Sequence, residues 1–321
     1  MKLKHLLGTL MAAAFLSPMA IAQSFPTKPV RIVVPFGAGG VADVTARVVA
    51  QKMAESLGQA VVIENKPGAG GIVAGDTVAK AEPDGHTLLL MSNGTAVSEG
   101  LFKTLPFKTL QDFAPISTIG YFDLAVVTAA NSRFKTFGEL LAFAKANPGR
   151  LNLGSINVGS TQHLTAEMFK SASGAEVQIV PFNGTPAVVT ALRGGQIDAA
   201  VEIVAPVLTQ IQSKALRALA VTSDRRAPVL PDVPTTKEAG LPGYVARSWN
   251  GLAAPAKTPP AVIARLNQVV VAALNSPDVK KKLQDLNVDP QSSTPQEAAT
   301  LLASEVKRWG EVIRAAKIVP Q

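Results

Sequence analysis

Between Val30 and Arg47 the sequence reads VRIVVPFGAGGVADVTAR: an apolar run, a loop almost without side chains, then a helical pattern. Val30, Ile32, Val33 and Val34 suit a buried strand. Val44, Val48, Met53 and Leu57 recur at helical spacing, which predicts a helix from about Val41 to Gly58. A loop of Gly37, Ala38, Gly39 and Gly40 before a helix start leaves main-chain N–H groups unpaired and pointing one way. With the positive end of the helix they make a site for an anion, and the missing Cβ atoms let a ligand approach the backbone. The same letters also read as a tight strand-to-helix turn without a ligand. Gly37-x-Gly39-x-x-Ala42, with Glu64 closing a second apolar run, fits a dinucleotide fingerprint as well.

The start of the chain decides against a dinucleotide. Lys2 and Lys4, an apolar segment from Leu6 to Leu16, and Ala20-Ile21-Ala22 are the parts of a secretory signal peptide, cut near Ala22. The apolar run is shorter than the ~20 residues needed to span a bilayer. The chain has no cysteine, so neither a lipid anchor at the cut site nor a disulfide is available. These features predict a periplasmic protein, where free nicotinamide cofactor is not expected. A formal charge of +8 favours anionic small ligands. Aromatic residues are only 5% of the chain and the basic residues are scattered, which argues against nucleic acid. Lys280-Lys281-Lys282 reads as a solvated helix face.

Strand, loop and helix then alternate. Val61–Ile63 and Thr87–Met91 read as strands, and Ile116–Thr128 as a strand leaving one domain for the next, interrupted at Asp123. Phe137–Ala146 reads as a helix, followed by strands at Leu151–Leu153, Val177–Val180, Ile197–Val201 and Ala215–Val221. The strand ends carry small polar loops, at Ser92-Asn93-Gly94, Gly159-Ser160-Thr161 and Asn183-Gly184-Thr185. Prolines 228, 231, 234 and 242 mark a connecting segment, and Tyr244–Ala253 reads as a return strand. Helices follow from Pro260 and from Pro295 to about Ala316. The fold class is α/β, two lobes joined by two hinge crossings. Residues 23–122 and 246–321 are expected to form lobe one, and 123–245 lobe two. In such folds ligands sit at the carboxyl ends of strands.

Chemistry-bearing patterns are absent. The chain has three histidines, no H-E-x-x-H, no G-x-S-x-G and no P-loop lysine, so no metal site and no cofactor are expected. Ser160 and His163, with Asp43, are the residues a secreted enzyme acting on a carboxylate would use. Three positions apart at a helix start, the first two suit ligand donors or caps better. A ligand-dependent sensor of a signalling partner would share the same pocket.

Several segments together resemble the Bug receptors, extracytoplasmic solute receptors of tripartite tricarboxylate transporters. They are Pro29–Arg47, VIENKPGAGG (62–71), AEPDGHTLLLMS (81–92), GSTQHLTAEMF (159–169), VPFNGTPAVVTALRGGQID (180–198) and Leu216–Tyr244. The resemblance covers nearly the whole chain after Ala22, in order. It implies a periplasmic-binding-protein fold, a small carboxylate ligand, membrane components of a transporter as partners, and a monomer without enzymatic activity.

It also implies contacts made mainly by main-chain N–H groups and small hydroxyls. Lobe one would use Phe36, Gly37, Ala38, Gly39, Gly40 and Asp43, with Ser92 and Asn93. Lobe two would use Gly159, Ser160, Thr161 and His163, then Asn183, Gly184 and Thr185. Where many relatives carry an Asp-Asn pair, this chain has Glu202-Ile203, which implies a shifted ligand preference. Asp43 has two readings: a carboxylate near an anion costs on the order of 1–4 kcal/mol at ~4 Å, so it either serves the helix start or meets an ammonium or hydroxyl on the ligand.

Overall fold

The computed structural model describes residues 25–156 and 158–320; the expected export segment, Met1–Ala22, lies outside the described residues. The apolar run at Val30 becomes β1 (Val30–Val34), buried throughout apart from half-buried Arg31. A strand apolar on both faces needs cover on both, which a parallel sheet with crossover helices supplies. α1 (Val41–Leu57) leads to β2 (Val61–Asn65), parallel to β1. A 3-10 turn (Ala69–Gly71) and α2 (Ile72–Ala79) lead to β3 (Thr87–Ser92), parallel on the other edge of β1. The stripe that α1 buries is Ala46, Val49, Ala50, Met53 and Leu57; Val44 and Val48 of the expected face are only half-buried. Alanines on the packed face let the helix backbone come close to its neighbours.

α3 (Asn93–Leu101) starts where the sequence suggested only a turn. Ser92 caps it: its Oγ accepts from the Gly94 N–H, and Thr95 Oγ1 accepts from the Ser92 N–H. β4 (Phe113–Ala129) then runs 17 residues without a break. α4 (Phe137–Ala146), β5 (Asn152–Ile156), α5 (Thr161–Ser173), β6 (Gln178–Phe182), α6 (Thr185–Arg193), β7 (Ala199–Ile203), α7 (Val204–Gln212) and β8 (Leu216–Val221) follow, in the stretch expected to form lobe two. β5 is parallel to both β6 and β7. The chain returns along β9 (Arg247–Pro255), starting three residues later than expected because Tyr244 packs between Phe137 and Phe169 instead. α8 (Pro260–Asn275), α9 (Pro277–Asp285), β10 (Val288–Pro290) and α10 (Pro295–Ala315) follow, in the stretch expected to return to lobe one.

Among the described residues the ten strands form one sheet, with main order β2-β1-β3-β9-β4-β7-β5-β6. β4 holds the two halves together. Up to Asp123 it pairs antiparallel with β9; from Leu124 it pairs with β7 and β8. Asp123 therefore does not interrupt the strand. Its carboxylate lies 3.0 Å from Arg247 Nε, its register partner on β9, so the buried charge is compensated by a residue 124 positions away. One apolar cluster runs from Val33 and Met91 through Leu101, Phe137 and Tyr244 to Trp249 and Trp309, so the two lobes share a core.

Candidate ligand-binding site

In both lobes a strand's carboxyl end runs directly into a helix start. The loop from β1 to α1 is the barest of these. Phe36 and Gly37 through Gly40 are all exposed. A Cβ built on Gly37 or Gly39 would meet nothing within 4 Å, so the outer face of the loop is open. Gly39 has φ +82°, a left-handed conformation that glycine adopts without the strain an L side chain would carry. α1 has no side-chain cap, and among the described residues its first N–H groups, Val41 and Ala42, find no main-chain acceptor. Such groups suit an anion.

Asp43 is already spoken for. Its Oδ2 accepts from the Gly39 N–H at 2.8 Å and from Arg47 Nε at 3.0 Å, and its Oδ1 accepts from Asn65 Nδ2 at 2.8 Å. Asn65 also donates to the Phe36 carbonyl and accepts from Arg47. Burial alone would raise the Asp43 pKa, but the bonds from Arg47, Gly39 and Asn65 prevail and hold it below the usual carboxylate range. Of the two readings of Asp43, this geometry supplies the one at the helix start: the carboxylate ties α1 to β2 and pins the glycine loop. Arg47 and Asn65 were missed from the sequence. The i, i+4 spacing of Asp43 and Arg47 was the available signal.

Ser92 and Asn93 cap and anchor α3. Asn93, expected to contact ligand, has its amide occupied. Its Oδ1 accepts from the Trp249 N–H at 3.0 Å, and its Nδ2 points to the Arg247 carbonyl at 3.3 Å and to Glu305 at 3.5 Å. Glu305 in turn accepts from Trp309 Nε1 at 2.7 Å. Asn93 thus joins α3, β9 and α10. Asn93→Ala is expected to cost about 1–3 kcal/mol in urea unfolding, because buried donors and acceptors lose their partner.

In lobe two the turn before α5 carries Gly159, Ser160, Thr161 and His163. Ser160 Oγ accepts from the His163 N–H at 3.0 Å and donates to the Ile156 carbonyl at 3.1 Å. The His163 ring turns elsewhere: Nδ1 accepts from the Gly159 N–H at 3.4 Å, and Nε2 lies 4.0 Å from Glu167. Burial lowers the His163 pKa, so the ring is neutral at pH 7. Ser160 and His163 therefore do not share the hydrogen bond of a nucleophile and its base. Gly159 adjoins the other lobe: a Cβ there would collide with Leu101 Cδ2 of α3.

Asn183 is exposed beside Gly184, whose φ of +90° turns the chain into α6. Thr185 opens that helix, and its Oγ1 donates to Glu202 Oε2 at 3.0 Å. Glu202 is fully buried at the end of β7, and burial pushes its pKa up to about 7, against weaker opposing bonds from Thr185, Gln162 and the Ile203 N–H. Gln162 was not foreseen as its neighbour. The expected residues thus form two sets, Phe36–Asp43 in lobe one and Gly159–Glu202 in lobe two. Among the described residues no hydrogen bond links the two. Concavities of about 320 Å³ beside Lys28 and 580 Å³ beside Lys135 share no residue with either set.

The profile of the tripartite tricarboxylate transporter family receptor, TctC, matches residues 45–318. The chain belongs to this receptor family. Solved relatives have the same fold. Rpa4515 of R. palustris, solved with adipate, is 32% identical with a TM-score of 0.82, over 92% of this chain and 100% of that one. MatC (Rpa3494) of Rhodopseudomonas palustris, solved with bound malate, is 34% identical with a TM-score of 0.77, over 90% and 100%. The periplasmic binding protein BugD is 32% identical with a TM-score of 0.80, over 92% and 100%. The fold of a TctC receptor is thus two α/β lobes on one mixed sheet. In this TctC receptor no helix among the described residues is long and apolar enough to cross a membrane.

Proposed function

We propose that this TctC receptor works in the periplasm, closes its two lobes on a small dicarboxylate, and hands it intact to the membrane components of a tripartite transporter. The β1–α1 loop carries this reading. Its glycines leave an open face, its helix start lacks a cap, and Asp43, Arg47 and Asn65 hold it rigid without offering a free charge. Adipate and malate in two relatives supply the ligand class. The change of partner along β4 at Asp123 and the start of β9 at Arg247 support a division into residues 25–122 with 246–320, and 123–245, hinged there. Ser160 and His163, turned to main-chain partners, support binding without turnover.

Thermal shift and calorimetry with adipate, malate, succinate and citrate test this. A true ligand at 100 times its Kd adds about 2.7 kcal/mol, a rise of roughly 5 °C for a chain of this size, and is recovered unchanged. A flat response to every acid, or conversion of one of them, overturns the reading.

A further inference from the structure

We propose that Glu202 takes up one proton as the carboxylate binds, so that Thr185 can turn its hydroxyl from Glu202 to the ligand. The inference rests on the carboxylate reading above and assigns a positioning role to a residue that does not itself reach the ligand.

The geometry is that of an acid buried without a counter-charge. Glu202 Oε2 has Thr185 as its hydroxyl donor, while Oε1 has no partner among the described residues. The elements packed around it bring no free cation. β5, α7 and the rest of β7 have no charged residue. β4 contributes Asp123, already paired with Arg247. α5 contributes His163, held by the Gly159 N–H, and Glu167, paired with Lys170. The charge on α6 is Arg193, at its far end. No cation opposes burial, which outweighs the donors Thr185, Gln162 and the Ile203 N–H and pushes the carboxyl pKa up to about 7.

The two protonation states present different groups to the cleft. A charged Glu202 is acceptor-only, so Thr185 must donate to it and shows only lone pairs outward. Those lone pairs face the acceptor oxygens of a carboxylate, which disfavours binding. A protonated Glu202 can donate its O–H to Thr185 Oγ1. The Thr185 hydrogen is then free for the ligand, beside Gly184 at the start of α6. The proton comes from solvent and no covalent bond changes. Above pH 7 each ligand bound draws one proton into the protein.

Calorimetry with adipate and malate from pH 6 to 8.5, in buffers of different ionisation enthalpy, tests this. The expected result is a Kd rising up to tenfold per pH unit above 7, with proton uptake approaching one per ligand. Glu202→Gln should abolish both the slope and the uptake. Thr185→Ser should keep the slope, whereas Thr185→Val should lose it and weaken binding below pH 7. Uptake is measured on the wild-type protein, so the test survives if a variant fails to fold. Binding with a pH-flat Kd and no uptake overturns this inference alone. Absence of binding at every pH overturns it together with the carboxylate reading.

Discussion

Arg247→Met is expected to remove about 3–5 kcal/mol of stability at pH 7, chiefly the cost of leaving the buried Asp123 carboxylate without its cation. Arg247 reaches Asp123 at 3.0 Å and Asp289 at 3.1 Å, stands 4.9 Å from the Tyr121 ring centre, and shares Asp289 with Arg225. The two carboxylates respond differently to the same guanidinium. Burial dominates at Asp123, raising its pKa above 3.8 although Arg247 opposes. At Asp289 burial also raises, but the bonds and charges of Arg247 and Arg225 prevail, and the pKa lies below 3.8. Asp289 is shallower and has two arginines, which is why the outcome differs.

The sign of the pH dependence follows from these directions. The stabilisation by Asp289 is present above pH 3.8 and is lost as pH falls through its lowered value. Asp123 opposes folding increasingly as pH rises past 3.8, and more so without Arg247. Both effects make the deficit of the variant largest at neutral pH and smaller near pH 4. Urea unfolding at pH 7 and pH 4 measures it. A deficit equal at both would mean that Arg247 contributes packing rather than charge.

Gly37→Val is expected to weaken ligand binding on the order of 100-fold while leaving the unliganded protein within about 0.5 kcal/mol of wild type. Gly37 lies outside the left-handed region and has open space where the new side chain would go, so folding has no reason to object. A ligand seated on the loop's main-chain N–H groups would meet two methyl groups instead. Gly39→Ala is the contrasting control: its φ of +82° costs roughly 1–2 kcal/mol whatever the ligand does. Calorimetry with the acid found by screening, beside thermal melts of the free protein, separates the two effects. Unchanged affinity in Gly37→Val would place the ligand elsewhere.

Elements with strong local signals were legible in the sequence. α4 matches its expected bounds because Thr136 and Glu139 cap it and its apolar residues keep helical spacing. α10 begins at Pro295 behind Thr294 and Glu297 for the same reason. Other elements were hidden. Ser92-Asn93-Gly94 reads as a turn, and α3 becomes visible only through the Thr95 half of its capping box and the anchoring of Asn93 by β9 and α10. α7 carries a proline in its first turn, and β10 is three residues long, too short for a period to show. The loops of the candidate site were legible because glycine and small hydroxyls at strand ends have few other uses. Which of their side chains were free was not.

The sequence by itself determined the alternation of strand and helix and the bare β1–α1 loop, because each rests on neighbours a few residues apart, and the family, because its segments follow one another in order along the chain. Only the tertiary structure decided that Asp43 and Asn93 spend their polar groups on the protein, that the His163 ring turns away from the Ser160 hydroxyl, and that Glu202 is buried without a cation. Those outcomes depend on partners such as Asn65, Trp249, Thr185 and Gln162, which lie up to 156 positions away. The cost of burying a polar group is set by what surrounds it, and folding chooses those surroundings from distant parts of the chain.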